Sequence, residues 1–290
     1  MTRIISALSD ISHQYDALFV DLWGCVHNGV AALPSAVKAL QVYRQTGGKV
    51  VLVTNSPRPR AGVRKQLTTF GVPDDAWDTI ATSGDSARSA MFQGVVGQKV
   101  WFIGMPGDQK FFDPIGVVDD PVQITQVPME EAEGIVCTGP EDPMADPETL
   151  RGPFLYAKQK GLKLLCANPD IVVDRGDVRE WCAGALAGLY SEMGGESLYF
   201  GKPHPPIYDL ARRRLGALGV DVADNRILAI GDGVLTDIAG AMGEDIDSLF
   251  ISGGLAAAET KTSHQPDPDL LNLYLENEKS NPTFTIGHLR

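Results

Sequence analysis

Several polar residues stand where an apolar run ends, and their types suit chemistry on an anionic group. Asp21 follows Ala17-Leu18-Phe19-Val20, Thr54-Asn55-Ser56 follows Val50-Val51-Leu52-Val53, and Asp232 follows Ile227-Leu228-Ala229-Ile230-Gly231. Paired strand-end carboxylates such as Asp21 and Asp232 can bind magnesium, mostly through oxygen. Lys202, between Gly201 and Pro203, and Asp237, five residues after Asp232, complete the set. Each residue also has an ordinary explanation. Strand-end Asp and the Thr54-Asn55-Ser56 run favour turns and helix caps, Lys202 could sit on the surface, and Asp237 could be a solvated helix residue. Singly, only Asp21 and Asp232 favour chemistry; jointly, the whole set does.

The elements that must hold these residues are legible in the hydrophobic pattern. The three apolar runs read as buried strands, and Ser248-Leu249-Phe250-Ile251, ending at Ser252-Gly253-Gly254, reads as a fourth. Pro34-Ser35 opens a helix with Val37, Leu40 and Tyr43 on one face, closed by Gly47-Gly48. A second helix runs from about Arg60 to Phe70, with Gly71 as its stop. Strands alternating with helices indicate an α/β fold, a doubly wound parallel sheet covered on both faces. Ligands of such sheets bind outside the carboxyl ends of the strands, which is where the polar residues fall. The middle of the chain has its own strand candidates, at Lys99 to Ile103, Gly134 to Cys137 and Leu162 to Cys166. A smaller α/β domain is therefore expected at residues 85–196, inserted into a core formed by 1–84 and 197–290. A last short helix after Gln265-Pro266-Asp267-Pro268 and an edge strand near Thr283 to Ile286 are expected at the end.

Composition narrows the function. Apolar residues make up 43% of the 290, enough to fill a core without disulfides or structural metal. The net charge of −12 disfavours nucleic acid as a partner, and a phosphorylated substrate would need a local cation. No run is long and apolar enough to span a bilayer, and the N-terminus lacks an apolar signal core, so the expected location is cytoplasmic. Cys25, Cys137, Cys166 and Cys182 show neither zinc-type nor redox-type spacing and read as buried, reduced thiols. Gly231-Asp232-Gly233 is not a dinucleotide fingerprint, because position 236 is Thr.

Taken in order, Asp21-Leu22-Trp23-Gly24, Thr54-Asn55-Ser56, Gly201-Lys202-Pro203 and Gly231-Asp232-Gly233-Val234-Leu235-Thr236-Asp237 resemble the four motifs of the haloacid dehalogenase superfamily. The large insertion between the second and third motifs resembles the class IIA cap branch, which includes p-nitrophenyl-phosphatase-like and sugar-phosphate phosphatases. Asn168-Pro169-Asp170 and Ala183-Gly184-Ala185 resemble cap segments of that branch. The resemblance implies a magnesium-dependent hydrolase acting on a small phosphorylated substrate through an aspartyl phosphate at Asp21. It implies that Asp21, Asp232 and the backbone carbonyl of Trp23 hold Mg2+, and that Asp237 holds metal-bound waters or Lys202. Lys202 would neutralise phosphate charge and orient Asp21, while the Thr54 hydroxyl and the Asn55 amide, with Ser56 beside them, hold phosphoryl oxygens. Caps of this branch often mediate dimers, so a homodimer is compatible with the resemblance.

One position departs from the pattern. Phosphatases of the superfamily usually carry a second Asp two residues after the nucleophile, which protonates the leaving oxygen; here that position is Trp23, and indole is no acid or base near neutral pH. Three readings stay open, in this order. The first is phosphoryl hydrolysis with a substitute acid or a leaving group that needs none. The second is carbon–halogen hydrolysis, in which halide needs no proton. The third is a non-catalytic protein that binds a phosphate ligand. His27, in the hairpin after the nucleophile, is a candidate to reach the site. Arg175 and Arg179 fall where class IIA enzymes place a substrate-facing loop and are candidate anion contacts; His204 reads as a structural or surface residue.

Overall fold

The computed structural model describes residues 2–114, 120–175 and 178–290. The chain opens with a two-residue strand, β1 (Arg3–Ile4), followed by β2 (Ala17–Val20), α1 (Pro34–Gln45), β3 (Lys49–Thr54), α2 (Arg60–Phe70) and β4 (Thr79–Thr82). Proline at the start of α1 donates no backbone hydrogen bond, which costs nothing where the first amides of a helix are unpaired anyway. Its Val37, Leu40 and Tyr43 are buried, as their spacing requires. Next come α3 (Ser83–Phe92), β5 (Lys99–Ile103), β6 (Thr125–Gln126), β7 (Gly134–Cys137), α4 (Arg151–Gln159), β8 (Lys163–Cys166), β9 (Val172–Arg175), β10 (Val178–Trp181), α5 (Ala183–Glu192) and β11 (Glu196–Tyr199). The last part holds α6 (Pro205–Gly216), β12 (Ile227–Gly231), α7 (Ala239–Gly243), β13 (Asp247–Ile251), α8 (Pro268–Asn277) and β14 (Phe284–Ile286).

Contacts divide the chain into two compact units. The first comprises Met1–Thr54, Arg64–Ala81 and Lys202–Arg290; the second comprises Asn55–Val63 and Thr82–Gly201. The segment 55–63 joins the second unit through local bonds. The Gly84 amide donates to Ser56 O at 3.0 Å, and the Arg60 amide donates to Asp85 Oδ2 at 3.2 Å.

The first unit is built on a sheet ordered β1-β14-β13-β12-β2-β3-β4. The pairings from β1 through to β3 all run parallel. β2 is buried on both faces, so its side chains are apolar throughout rather than alternating. Ala17 and Phe19 pack with Val51, Ile207, Tyr208 and Ile227 in one core cluster. A second cluster joins Phe250 to Val234, Ile238, Leu271 and Leu275. The end of the chain corrects one expectation: β14 is not an edge strand, because β1 pairs outside it through Arg3↔Phe284 and Ile4↔Thr285. A two-residue exposed strand carries no periodic signal, which is why Arg3–Ile4 cannot be read from sequence.

The second unit has a five-stranded parallel sheet ordered β11-β8-β7-β5-β6, and a separate antiparallel pair, β9 with β10. Its strands alternate between two cores. Ile135 and Cys137 of β7 pack with Phe154, Leu186 and Tyr190, whereas Val136 packs with Ala87, Met91 and Phe111. That period of two is what a sheet covered on both faces requires. No helix among the described residues is long and apolar enough to cross a membrane. All four cysteines are buried and free.

Candidate active site

In the first unit, β2 and β12 are neighbours in register, with Val20 opposite Ile230. The Asp21 amide carries the ladder one step further, donating to Ile230 O at 2.8 Å. The two apolar strands thus deliver Asp21 and Asp232 side by side. Both carboxylates are buried, with relative exposures of 8% and 5%.

Lys202 lies between two acids. Its Nζ bonds Asp21 Oδ1 and Asp237 Oδ1, the latter at 2.6 Å. Asp237 sits on a wide π-type turn, Val234–Ile238. Its other oxygen accepts from the Gly233 amide at 3.1 Å, which fixes the carboxylate toward the lysine. Asp232 Oδ2 accepts from the Leu255 amide at 3.1 Å, in the turn that follows β13. Two glycines press on the same oxygen. A Cβ on Gly24 would stand 2.2 Å from it and one on Gly254 would stand 2.0 Å from it, so no larger residue fits without moving Asp232. Gly24 also has φ +75°, a conformation that favours glycine.

Three buried carboxylates therefore face one buried ammonium. Burial raises the Asp21 pKa to about 7 against the pull of Lys202, and the charge of Asp237 adds to the rise. Burial also lifts Asp232 well above the carboxylate range, helped by Asp21 and Asp237. Burial alone would depress the Lys202 ammonium, but Asp21 and Asp237 outweigh it and hold its pKa well above the ordinary value. A divalent cation fits this imbalance. Oxygens of Asp21 and Asp232, together with Cys25 Sγ, lie within 4.8 Å of one another, and hard oxygen donors are what Mg2+ prefers.

The loop after the nucleophile is clamped by aromatic rings. His27 meets Trp23 edge-on at 5.5 Å and Phe70 at 4.9 Å. The Gly29 amide donates to His27 Nδ1 at 3.1 Å, so the neutral ring carries its proton on Nε2. Burial drops the His27 pKa to about 4. His27 is 3% exposed and serves as packing between two rings.

The other sequence candidates are placed as follows. Thr54 closes β3 and is buried. Asn55 follows it in the chain and spends its side-chain amide on Asp170 Oδ1, at 2.8 Å within the second unit. Ser56 Oγ accepts from the Arg58 amide at 3.3 Å. Arg179 is exposed on β10, opposite Asp174 in the ladder. The Arg175 side chain lies outside the described residues. Sequence reasoning assigned no role to Gly24, Gly254 or Leu255; the pair Gly253-Gly254 directly after a strand at the ligand edge was the available signal.

Residues 18–118 match the family described as haloacid dehalogenase-like hydrolase, and residues 199–274 match a HAD-hydrolase-like family. A crystal structure of a haloacid dehalogenase-like hydrolase from Brucella suis 1330 is 39% identical, covering 99% of this chain and 100% of that one, with a TM-score of 0.84. The chain belongs to the haloacid dehalogenase-like hydrolase family. Among curated relatives, the sugar-phosphatase AraL of Bacillus subtilis (strain 168) is 25% identical over 253 residues, 86% of this chain and 88% of that protein. The 4-nitrophenylphosphatase of Thermotoga maritima shares the fold, with 21% identity, a TM-score of 0.69 and 96% of each chain covered. Within this family, the carboxylate–lysine cluster at the carboxyl ends of β2 and β12 is the candidate active site.

Proposed function

We propose that the chain is a cytoplasmic, magnesium-dependent phosphatase that hydrolyses a small phosphorylated metabolite through an aspartyl phosphate on Asp21. The observation that carries this reading is the ammonium of Lys202 shared between Asp21 and Asp237, next to the carboxylate of Asp232. A carboxylate nucleophile splits hydrolysis into two easier steps. An oxygen of Asp21 attacks phosphorus, and the bond to the leaving oxygen breaks with its electron pair. Water then attacks the acyl phosphate, restoring Asp21 and releasing inorganic phosphate. Lys202 orients Asp21 and adds positive charge where the phosphoryl oxygens gather. Thr54 and the Asn55 amide, next to each other in the chain, hold those oxygens. Asp21, Asp232 and the Trp23 carbonyl would hold Mg2+, which when bound offsets the repulsion between carboxylate and phosphate.

Trp23 supplies no proton, and His27 is buried in packing. The leaving group this site suits is therefore one that departs without a proton, such as an aryl oxide or a carboxylate. The indole also favours a second reading, carbon–halogen hydrolysis, since halide needs no proton either. A panel of aryl, acyl and alkyl phosphates and haloacids, each with and without Mg2+, separates the two. Metal-stimulated phosphate release supports the phosphatase; metal-independent halide release with no phosphate release removes it.

A further inference from the structure

Cys25 has no part in the phosphatase reading, yet it sits in the same cluster. Its Sγ and oxygens of Asp21 and Asp232 all lie within 4.8 Å of one another, and all three residues are buried. Lys202 takes Oδ1 of Asp21, a carboxylate that also accepts from the Leu22 backbone amide, and the Leu255 amide takes Oδ2 of Asp232; each carboxylate has lone pairs beyond these bonds to offer a metal. One buried ammonium serves three buried acids, Asp21, Asp232 and Asp237, so ionising all three calls for a further cation next to the sulfur. Such a donor set is softer than the all-oxygen set of a magnesium site, and thiolate selects zinc-like ions over magnesium.

We propose that Asp21, Cys25 and Asp232 form a mixed oxygen–sulfur site for a thiophilic divalent ion, Zn2+ or Cd2+, which holds the nucleophile and blocks turnover. Zinc binds carboxylate oxygen at about 2.0–2.2 Å and thiolate sulfur at about 2.3 Å, so ligand atoms around it stand roughly 3.5 Å apart. The cluster needs to draw in by about an ångström to close on the ion. The Cys25 thiol gives up its proton to solvent as the metal–sulfur bond forms, so binding releases a proton. Magnesium, which gains nothing from sulfur, competes through the oxygens alone.

The test titrates the full-length, metal-stripped protein with Cd2+, following the thiolate-to-cadmium charge-transfer absorption, and repeats the titration by calorimetry with Zn2+. Wild type should bind one ion with the sulfur band. Cys25→Ser should lose the band and weaken zinc binding by at least about tenfold, since even the outer partners of metal ligands are worth about 10–100-fold. Retention of the band in Cys25→Ser would assign it to other thiols and overturn the proposal, as would a wild-type protein that binds cadmium without it. Should Cys25→Ser fail to fold, competition on wild type decides. Excess Mg2+ should shift the cadmium midpoint upward, and an unmoved midpoint sinks the shared site. The metal site shares its carboxylates with the phosphatase reading but does not depend on it; only the block of turnover rests on that reading. Cadmium binding through Cys25 in a protein that never releases phosphate would discard that reading and leave this one.

Discussion

Gly29 lies close against the indole of Trp23: a Cβ built on it would stand 2.4 Å from the ring, and its φ is +84°. The hairpin after the nucleophile is thus shaped around one aromatic side chain, with His27 and Phe70 completing the clamp. Gly29→Ala meets both the steric block and the backbone penalty, and should cost roughly 1–3 kcal/mol. Misplacing reacting groups by 1 Å can cost about 10² in rate. Turnover should therefore fall further than the population of folded protein does, which urea unfolding and steady-state kinetics measure together.

Trp23→Asp places a carboxyl group where the motif resemblance expects an acid. General acid help is worth about 10²–10⁴, and it matters most for poor leaving groups. Alkyl phosphate turnover should rise relative to aryl phosphate turnover, on a less stable protein that has lost the contacts to His27 and Gly29. Matched aryl and alkyl esters supply the comparison. Ordinary alkyl turnover in wild type, with no gain in the variant, would show that another group delivers the proton.

Lys202→Met removes the cation from between Asp21 and Asp237. Breaking a buried ion pair from one side costs about 3–5 kcal/mol. Denaturation in the presence of chelator should show a loss of that order, and phosphate release should disappear. A variant as stable as wild type would mean that the contacts to Asp21 and Asp237 carry little.

Asp21→Asn keeps the shape and the Lys202–Asp237 contact but has no nucleophile. Turnover should drop by about 10⁴ or more, with no loss of stability, because one of three crowded carboxylates has become neutral. Near-native phosphate release would place the chemistry elsewhere in the chain.

Gly254→Ala intrudes 2.0 Å from Asp232 Oδ2. It should weaken magnesium binding by calorimetry while the Lys202 contacts with Asp21 and Asp237 persist. Unchanged binding would show that the loop after β13 yields without moving Asp232.

How far the site could be read from sequence depended on what kind of group carries each role. Asp21 and Asp232 were legible because each follows an apolar strand, and parallel strands bring their carboxyl ends to one edge. The helix at Pro34–Gln45 was legible from its start signal and its buried stripe. The amide of Leu255 was not, because a backbone donor has no residue type to betray it. Nor was the bond from Asn55 to Asp170, which joins residues 115 positions apart. The strand Arg3–Ile4 was hidden by its brevity, and that alone turned β14 from an interior strand into an expected edge.

The sheet order also bears on how the chain is made. The nucleophile strand Ala17–Val20 has Lys49–Thr54 on one side and Ile227–Gly231 on the other. During synthesis the first neighbour leaves the ribosome early, ending at Thr54, while the second begins only at Ile227, about 170 residues later. Until then one flank of β2 has open backbone groups, a template for unwanted pairing. The five-stranded sheet of the second unit, Lys99 to Tyr199, is complete before that flank closes. Asp21 therefore gains its partners Lys202, Asp232 and Asp237 late, so a nascent chain stalled before β12 should be inert and dependent on holding factors, however well its middle has folded.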